Sequence, residues 1–145
     1  MAKNFTVENP QGLTDALRAL DNVASESVLR QAAVAGARVI FSEVKVRVPV
    51  GHKTWESEKQ KHYPGFLRDA LLIAFDKEES VEGKLASYVV TWSKDAFYGR
   101  FLEFGTSKMA ARPFLRPAFE AKKQAAAAAV DDVIQTKAAE LTNGK

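Results

Sequence analysis

Five consecutive alanines, Ala125–Ala129, lie within a stretch whose apolar residues recur at helical spacing. Pro117 opens this stretch, and Phe119, Ala126, Val130, Val133, Ala138 and Leu141 carry it to position 141. Alanine has the best helix propensity and almost no side-chain bulk, so the pattern predicts a long C-terminal helix with a smooth face. A second run, 25–48, has the same rhythm. Val28, Ala32, Ala35 and Val39 form one stripe, with Leu29, Ala33, Gly36 and Ile40 beside it. The small residues at its centre would let another element approach closely. Val44, Val46 and Val48 alternate with Lys45 and Arg47, so the end of this run also reads as extended chain, and Pro49 ends it in either case.

Asn9-Pro10 reads as a helix start, with Asn as cap and Pro at the first helical position, followed by Leu13, Leu17 and Leu20. The polar text "VGHKTWESEKQKHYP" (50–64) has no period and predicts a long exposed loop. "FLRDALLIAF" (66–75) fits a helix start or a buried strand, and 76–84 an acidic turn containing Gly83. "LASYVVTWS" places Tyr88, Val90 and Trp92 on one strand face and Val89 and Thr91 on the other. In "FYGRFLEFGT" a strand over Phe101–Phe104 is favoured over a short helix at 98–102. The expected fold is α+β: a small antiparallel sheet packed by a long helix of the N-terminal half and a long C-terminal helix, with an extended polar loop. It forms one domain over 1–145, made of a helical part (1–48), an exposed loop (49–65), a β-rich core (66–106), a turn (107–116) and the final helix (117–141).

Composition narrows the function. With 145 residues the chain can bury one sizeable core. The net charge of +3 is unevenly placed: seven Lys/Arg against three acids over 30–62, and five against two over 94–116. Dedicated nucleic-acid binders concentrate more positive charge on one face. Without cysteine there is neither a disulfide framework nor a thiolate metal site, which agrees with a reducing cytoplasm. The N-terminal "MAKNFTVENP" lacks a signal-peptide core, and no apolar run is long enough to span a bilayer, so a soluble chain without membrane contact is expected.

Catalytic patterns are not assembled. His52 and His62 stand ten residues apart in the polar loop and read as solvated side chains rather than metal ligands. The glycines are too scattered for a phosphate loop, and no serine has nucleophile-elbow neighbours. No cofactor is implied. Glu103, on a strand beside Phe101, could be a general acid of raised pKa, but a structural ion pair with Arg100, Arg112 or Arg116 is favoured. Trp55, Lys59, Lys61 and Tyr63 mix aromatic and basic groups in the loop, interrupted by Glu56 and Glu58; a solvated loop is favoured, and an assembly contact is the best functional reading.

The stretch "YGRFLEFGTSKMAARPFLRPAFE" (98–120) resembles the HK97-type tail-component family of tailed bacteriophages, which includes neck, head–tail joining and tail-completion proteins. The likeness is carried by Tyr98, Glu103, Phe104, Gly105, Thr106, Lys108, Met109, Pro113, Phe114, Leu115, Arg116, Pro117 and Ala118. Two positions depart from the family pattern. Gly99 stands where Ala is usual, and the polar insert separates Pro49 from Pro64-Gly65-Phe66-Leu67, with Pro64 in place of a Thr. The resemblance implies a non-enzymatic virion protein of the neck or tail, assembled in the host cytoplasm. It also implies a homo-oligomeric ring whose partners are other neck, capsid-connector and tail proteins, with non-specific contact to DNA in the channel. The candidate subunit contacts are Tyr98, Glu103, Phe104, Gly105, Thr106, Lys108, Met109, Arg112, Phe114 and Arg116.

The residues suggest how such a corner works. Gly105 permits φ > 0, Thr106 or Ser107 can bond the turning backbone, and Pro113 and Pro117 bias Arg112 and Arg116 toward extended chain. Phe114 and Leu115 then either anchor the last helix to its own sheet or face the next subunit. A small nucleic-acid-binding module using the basic 30–62 region is the alternative function, with an enzyme built on Glu103 ranked last.

Overall fold

The computed structural model describes residues 10–23, 25–82 and 84–143. Helix α1 spans Pro10–Val23; the Asn9 cap expected from sequence lies outside the described residues. Helix α2 spans Glu26–Arg47 and is capped by Ser25, whose hydroxyl accepts the Val28 amide. The end of α2 is helical, not extended. Val44 and Val48, four apart, are buried, while Val46 is 80% exposed. That is helical periodicity, and core packing decides it.

The 50–64 segment is not a featureless loop. Strands β1 (Trp55–Glu56) and β2 (Lys61–His62) pair antiparallel as Trp55↔His62 and Glu56↔Lys61. A Ser57–Gln60 turn closes the hairpin, with the Ser57 amide donating to the Gln60 carbonyl at 2.9 Å. His62 is 1% exposed, correcting the solvated reading. Its ring stacks on Trp55 at 3.9 Å between centroids and meets Phe66 and Tyr98 edge-on. This aromatic cluster fastens the insert to the body. His52, Trp55, Lys59, Lys61 and Tyr63 remain exposed.

Residues 66–75 hold both expected elements in succession: the single-turn helix α3 (Phe66–Asp69), then strand β3 (Leu71–Val81). Strand β4 (Leu85–Trp92) pairs antiparallel with β3, from Leu71↔Trp92 to Val81↔Leu85. The acidic 76–81 segment is therefore strand rather than turn, with an irregularity in register between Asp76 and Val81. The Asp76 carboxylate organises it by accepting the amides of Glu78 and Glu79. A 3₁₀ turn (Lys94–Ala96), helix α4 (Gly99–Phe104) and helix α5 (Leu115–Asn143) complete the chain.

The fold is α+β, two small antiparallel sheets against which the long helices α2 and α5 pack. The most extensive contact joins α2 to α5, and its small residues make it possible. A Cβ on Gly36 would lie 2.8 Å from Val130 Cγ2 and 3.3 Å from the Ala126 carbonyl oxygen. The core gathers Val44 of α2 and Val48, which caps it, with Leu67, Leu71, Ala96, Phe114 and Ala118. No helix among the described residues is long and apolar enough to cross a membrane.

Candidate functional site

The chain between β4 and α5 makes a corner, and its geometry differs from the sequence expectation at its centre. Phe101–Phe104 is helix, not strand. Gly99 opens α4 against Trp92, where a Cβ would come within 2.9 Å of the indole and 3.0 Å of Leu67 Cδ1. The indole fills the space an alanine methyl would need, which accounts for glycine at this position. Helical geometry then separates Glu103 from Phe101. Glu103 points inward and is 7% exposed, while Phe101 and Phe104 face out, Phe104 at 76%.

The buried carboxylate has a definite task. Glu103 Oε2 accepts the amides of Phe114 (2.7 Å) and Leu115 (3.0 Å), and Oε1 accepts that of Arg116 (3.1 Å). A helix begins with four amides that lack intrahelical partners. Here they belong to Phe114, Leu115, Arg116 and position 117, and proline at 117 has no amide to satisfy. The first backbone bond of the new helix follows, from the Ala118 amide to the Phe114 carbonyl at 3.3 Å. One carboxylate and one proline thus settle the whole N-terminus of α5, and the negative charge sits at the positive end of the helix dipole. The ion pair expected for Glu103 is replaced by these backbone bonds: it bonds the Arg116 main chain, not a guanidinium.

The turn itself follows the residues closely. Gly105 has φ 73°, as expected, and its amide donates to the Phe101 carbonyl at 2.8 Å. A Cβ there would stand 2.8 Å from the Ala111 nitrogen and 3.0 Å from the Met109 oxygen. Thr106 and Met109 close a four-residue turn through reciprocal backbone bonds of 2.8 and 3.3 Å, and Thr106 Oγ1 accepts the Lys108 amide. The Arg112 amide donates to the Leu102 carbonyl at 2.7 Å, tying the returning chain to α4. Arg112 lies in irregular chain before Pro113, but Arg116 is already helical, so Pro117 sits within the first turn of α5 rather than at its start.

Of the two readings left open for Phe114, the structure takes the anchor. Its side chain is fully buried and packs against Trp92 at 5.8 Å between ring centroids. Glu103 and Phe114 are thus interior supports. Tyr98 is half-buried beside Trp55 and His62, and burial pushes its hydroxyl pKa above the ordinary value. Phe104, Thr106, Lys108, Met109, Arg112 and Arg116 are exposed, and Phe101, which sequence reasoning did not select, joins them. Arg100, Lys108, Arg112 and Arg116 form no salt bridge among the described residues. Beside this surface an apolar groove of about 740 Å³ runs between α2, β4, α4 and α5, lined by Val89, Phe104, Leu115, Arg116 and Phe119 among others.

The basic 30–62 region is more dispersed. Arg47 is paired with Glu43 at 2.7 Å, Lys45 lies over the Phe41 ring and Arg30 over Phe75. Arg47 and Lys45 are thus engaged along α2 and Arg30 across to β3.

A family model described as "Bacteriophage HK97-gp10, putative tail-component" matches residues 11–105, about two thirds of the chain. The chain belongs to this family. The HK97-gp10 match takes in α1 through α4, including Tyr98, Glu103, Phe104 and Gly105. It therefore also covers the N-terminal half, beyond the 98–120 stretch that carried the sequence resemblance. The Thr106–Arg116 turn and α5 lie beyond it. As a phage tail component the protein belongs in the virion, among other phage structural proteins. No curated protein and no solved structure matches the chain.

Proposed function

We propose that this tail component is a ring-forming subunit at the junction of head and tail, acting as a connector or tail-completion protein around the DNA channel. It works by assembly rather than by catalysis, with neither cofactor nor metal. The observation that carries the reading is the corner at 98–116. Its interior is fixed by Glu103, Gly105 and Phe114, while its outer side displays Phe101, Phe104 and Met109 among four cations that form no salt bridge among the described residues. Phe104, at 76% exposed, is an apolar side chain held on a stiff support in contact with water. Such a surface suits a protein contact with an apolar centre and charged surroundings. Glu103, the single candidate acid, is committed to the start of α5.

Subunits that repeat by rotation use two different patches on each copy and close into rings. Cations facing the channel would meet DNA through its phosphates without reading sequence. Negative-stain microscopy of the purified chain, alone and with tail tubes or DNA-filled heads, tests the proposal. Annular particles, or rings formed on either partner, are expected. Monomers inert toward both would overturn it.

A further inference from the structure

The β3–β4 hairpin carries a second surface, complementary to the corner, at the end away from its Leu71↔Trp92 base. Its base, Leu71↔Trp92, lies at the core next to Phe114. Its tip, Val81↔Leu85, is seven residues away along β4, about 23 Å at strand rise. Val81 and Leu85 are both exposed at that tip. Around them 76–84 carries four acids (Asp76, Glu78, Glu79, Glu82) against two lysines (Lys77, Lys84).

The acids are displayed from a built element. Asp76 accepts the Glu78 and Glu79 amides at 3.1 and 3.2 Å. The Ser80 hydroxyl donates to the Asp76 carbonyl and accepts the Ser87 amide, the latter at 2.9 Å. Bulges and charges commonly protect a sheet edge from pairing, and that accounts for the glutamates of β3. It does not account for two aliphatic side chains facing water at the apex.

We propose that the hairpin tip of one copy docks on the corner of the next. Val81 and Leu85 lie against Phe101, Phe104 and Met109, and Glu78, Glu79 and Glu82 face Arg100, Lys108 and Arg112. The occupant is a second copy because both halves of the match are on one chain. They have opposite charge, each has exposed apolar residues, and they stand at opposite ends of the hairpin. That separation makes the contact heterologous, the type that closes a ring by rotation. The inference rests on the ring reading above and assigns its seam.

The test uses the full-length chain, with oligomer mass read by light scattering after size exclusion and fold checked by circular dichroism. Two charge-reversal variants are made: E78K/E79K/E82K at the tip and R100E/K108E/R112E at the corner. Arg116 is left alone because it lies in the first turn of α5. Each variant by itself should self-associate about a hundredfold more weakly than wild type, since like charges then meet across the seam. Mixed one to one, they should recover wild-type mass as alternating copies, because each reversed patch finds its complement on the other chain. A chain carrying all six changes should also assemble alone. If wild type forms rings and both variants form them equally well, the seam is wrong and the ring reading stands. If the folded variants are monomeric yet neither the mixture nor the six-fold variant assembles, the pairing is likewise overturned. A wild-type chain that stays monomeric with every tail and head partner overturns both.

Discussion

Replacing Glu103 by alanine removes three hydrogen bonds and one buried charge at a single stroke, and the structure sets the size of the effect. The Phe114 amide is buried, so it loses its partner without access to water, which costs about 2 kcal/mol. The Leu115 and Arg116 amides are part-buried and regain water, leaving a loss of about 1 kcal/mol each for charge-assisted bonds. Loss of a favourable charge at the N-terminus of a 29-residue helix adds a few tenths. The expected destabilisation of Glu103→Ala is about 4 kcal/mol, a large share of the roughly 5–15 kcal/mol typical of a domain. In urea, with a slope of about 2 kcal/mol per molar, the midpoint falls by about 2 M. Glu103→Gln keeps one acceptor oxygen but turns an NH₂ group toward an amide donor, so about half the effect is expected. Hydrogen exchange should speed up at Phe114, Leu115 and Arg116 before the rest of α5. An alanine variant within about 0.5 kcal/mol of wild type would refute the claim that this carboxylate holds the corner.

Gly105→Val places a β-branched side chain at φ 73° and drives its Cβ into the Ala111 and Met109 backbone, so a loss of about 3 kcal/mol is expected, together with failure to assemble; wild-type thermal stability and infectious particles would contradict this. Gly36→Val wedges α2 from α5 at Val130 and should cost about 2 kcal/mol in urea unfolding. Phe114→Ala empties a fully buried site and should cost about 3–5 kcal/mol, measured in the same way. Assembly driven by acidic and basic patches should weaken as salt is raised from about 0.05 to 0.5 M, read as a falling mass by light scattering.

What the sequence made legible was whatever depends on local physics. The small residues of α2 and the alanine run of α5 announced two helices that could lie close together, and Gly36 against Val130 is that contact. Gly105 announced a backbone that only glycine adopts easily. What stayed hidden depends on distant partners. "FLEF" alternates like a strand, and the Trp92 indole against Gly99 is part of what makes it helix. Glu103 lies eleven to thirteen residues before the amides it caps, far outside the spacing of a local capping box, so no nearby pattern marks it. The proline at 117 was the available clue, because it removes the one initial amide that the carboxylate does not reach. His62 looked solvated because its burial depends on stacking with Trp55 across a two-residue ladder. Phe114 was legible as important, but its direction was not, since prolines fix φ without saying which side of the chain faces the core.

The account comes down to which side of the corner meets another protein. A cryo-electron microscopy map of the assembled neck and tail reads this directly at Phe104. Phe101, Phe104 and Met109 should be covered by another protein chain, with Glu103 and Phe114 still packed inside their own. A map in which Phe104 still faces solvent in the completed particle would contradict the account.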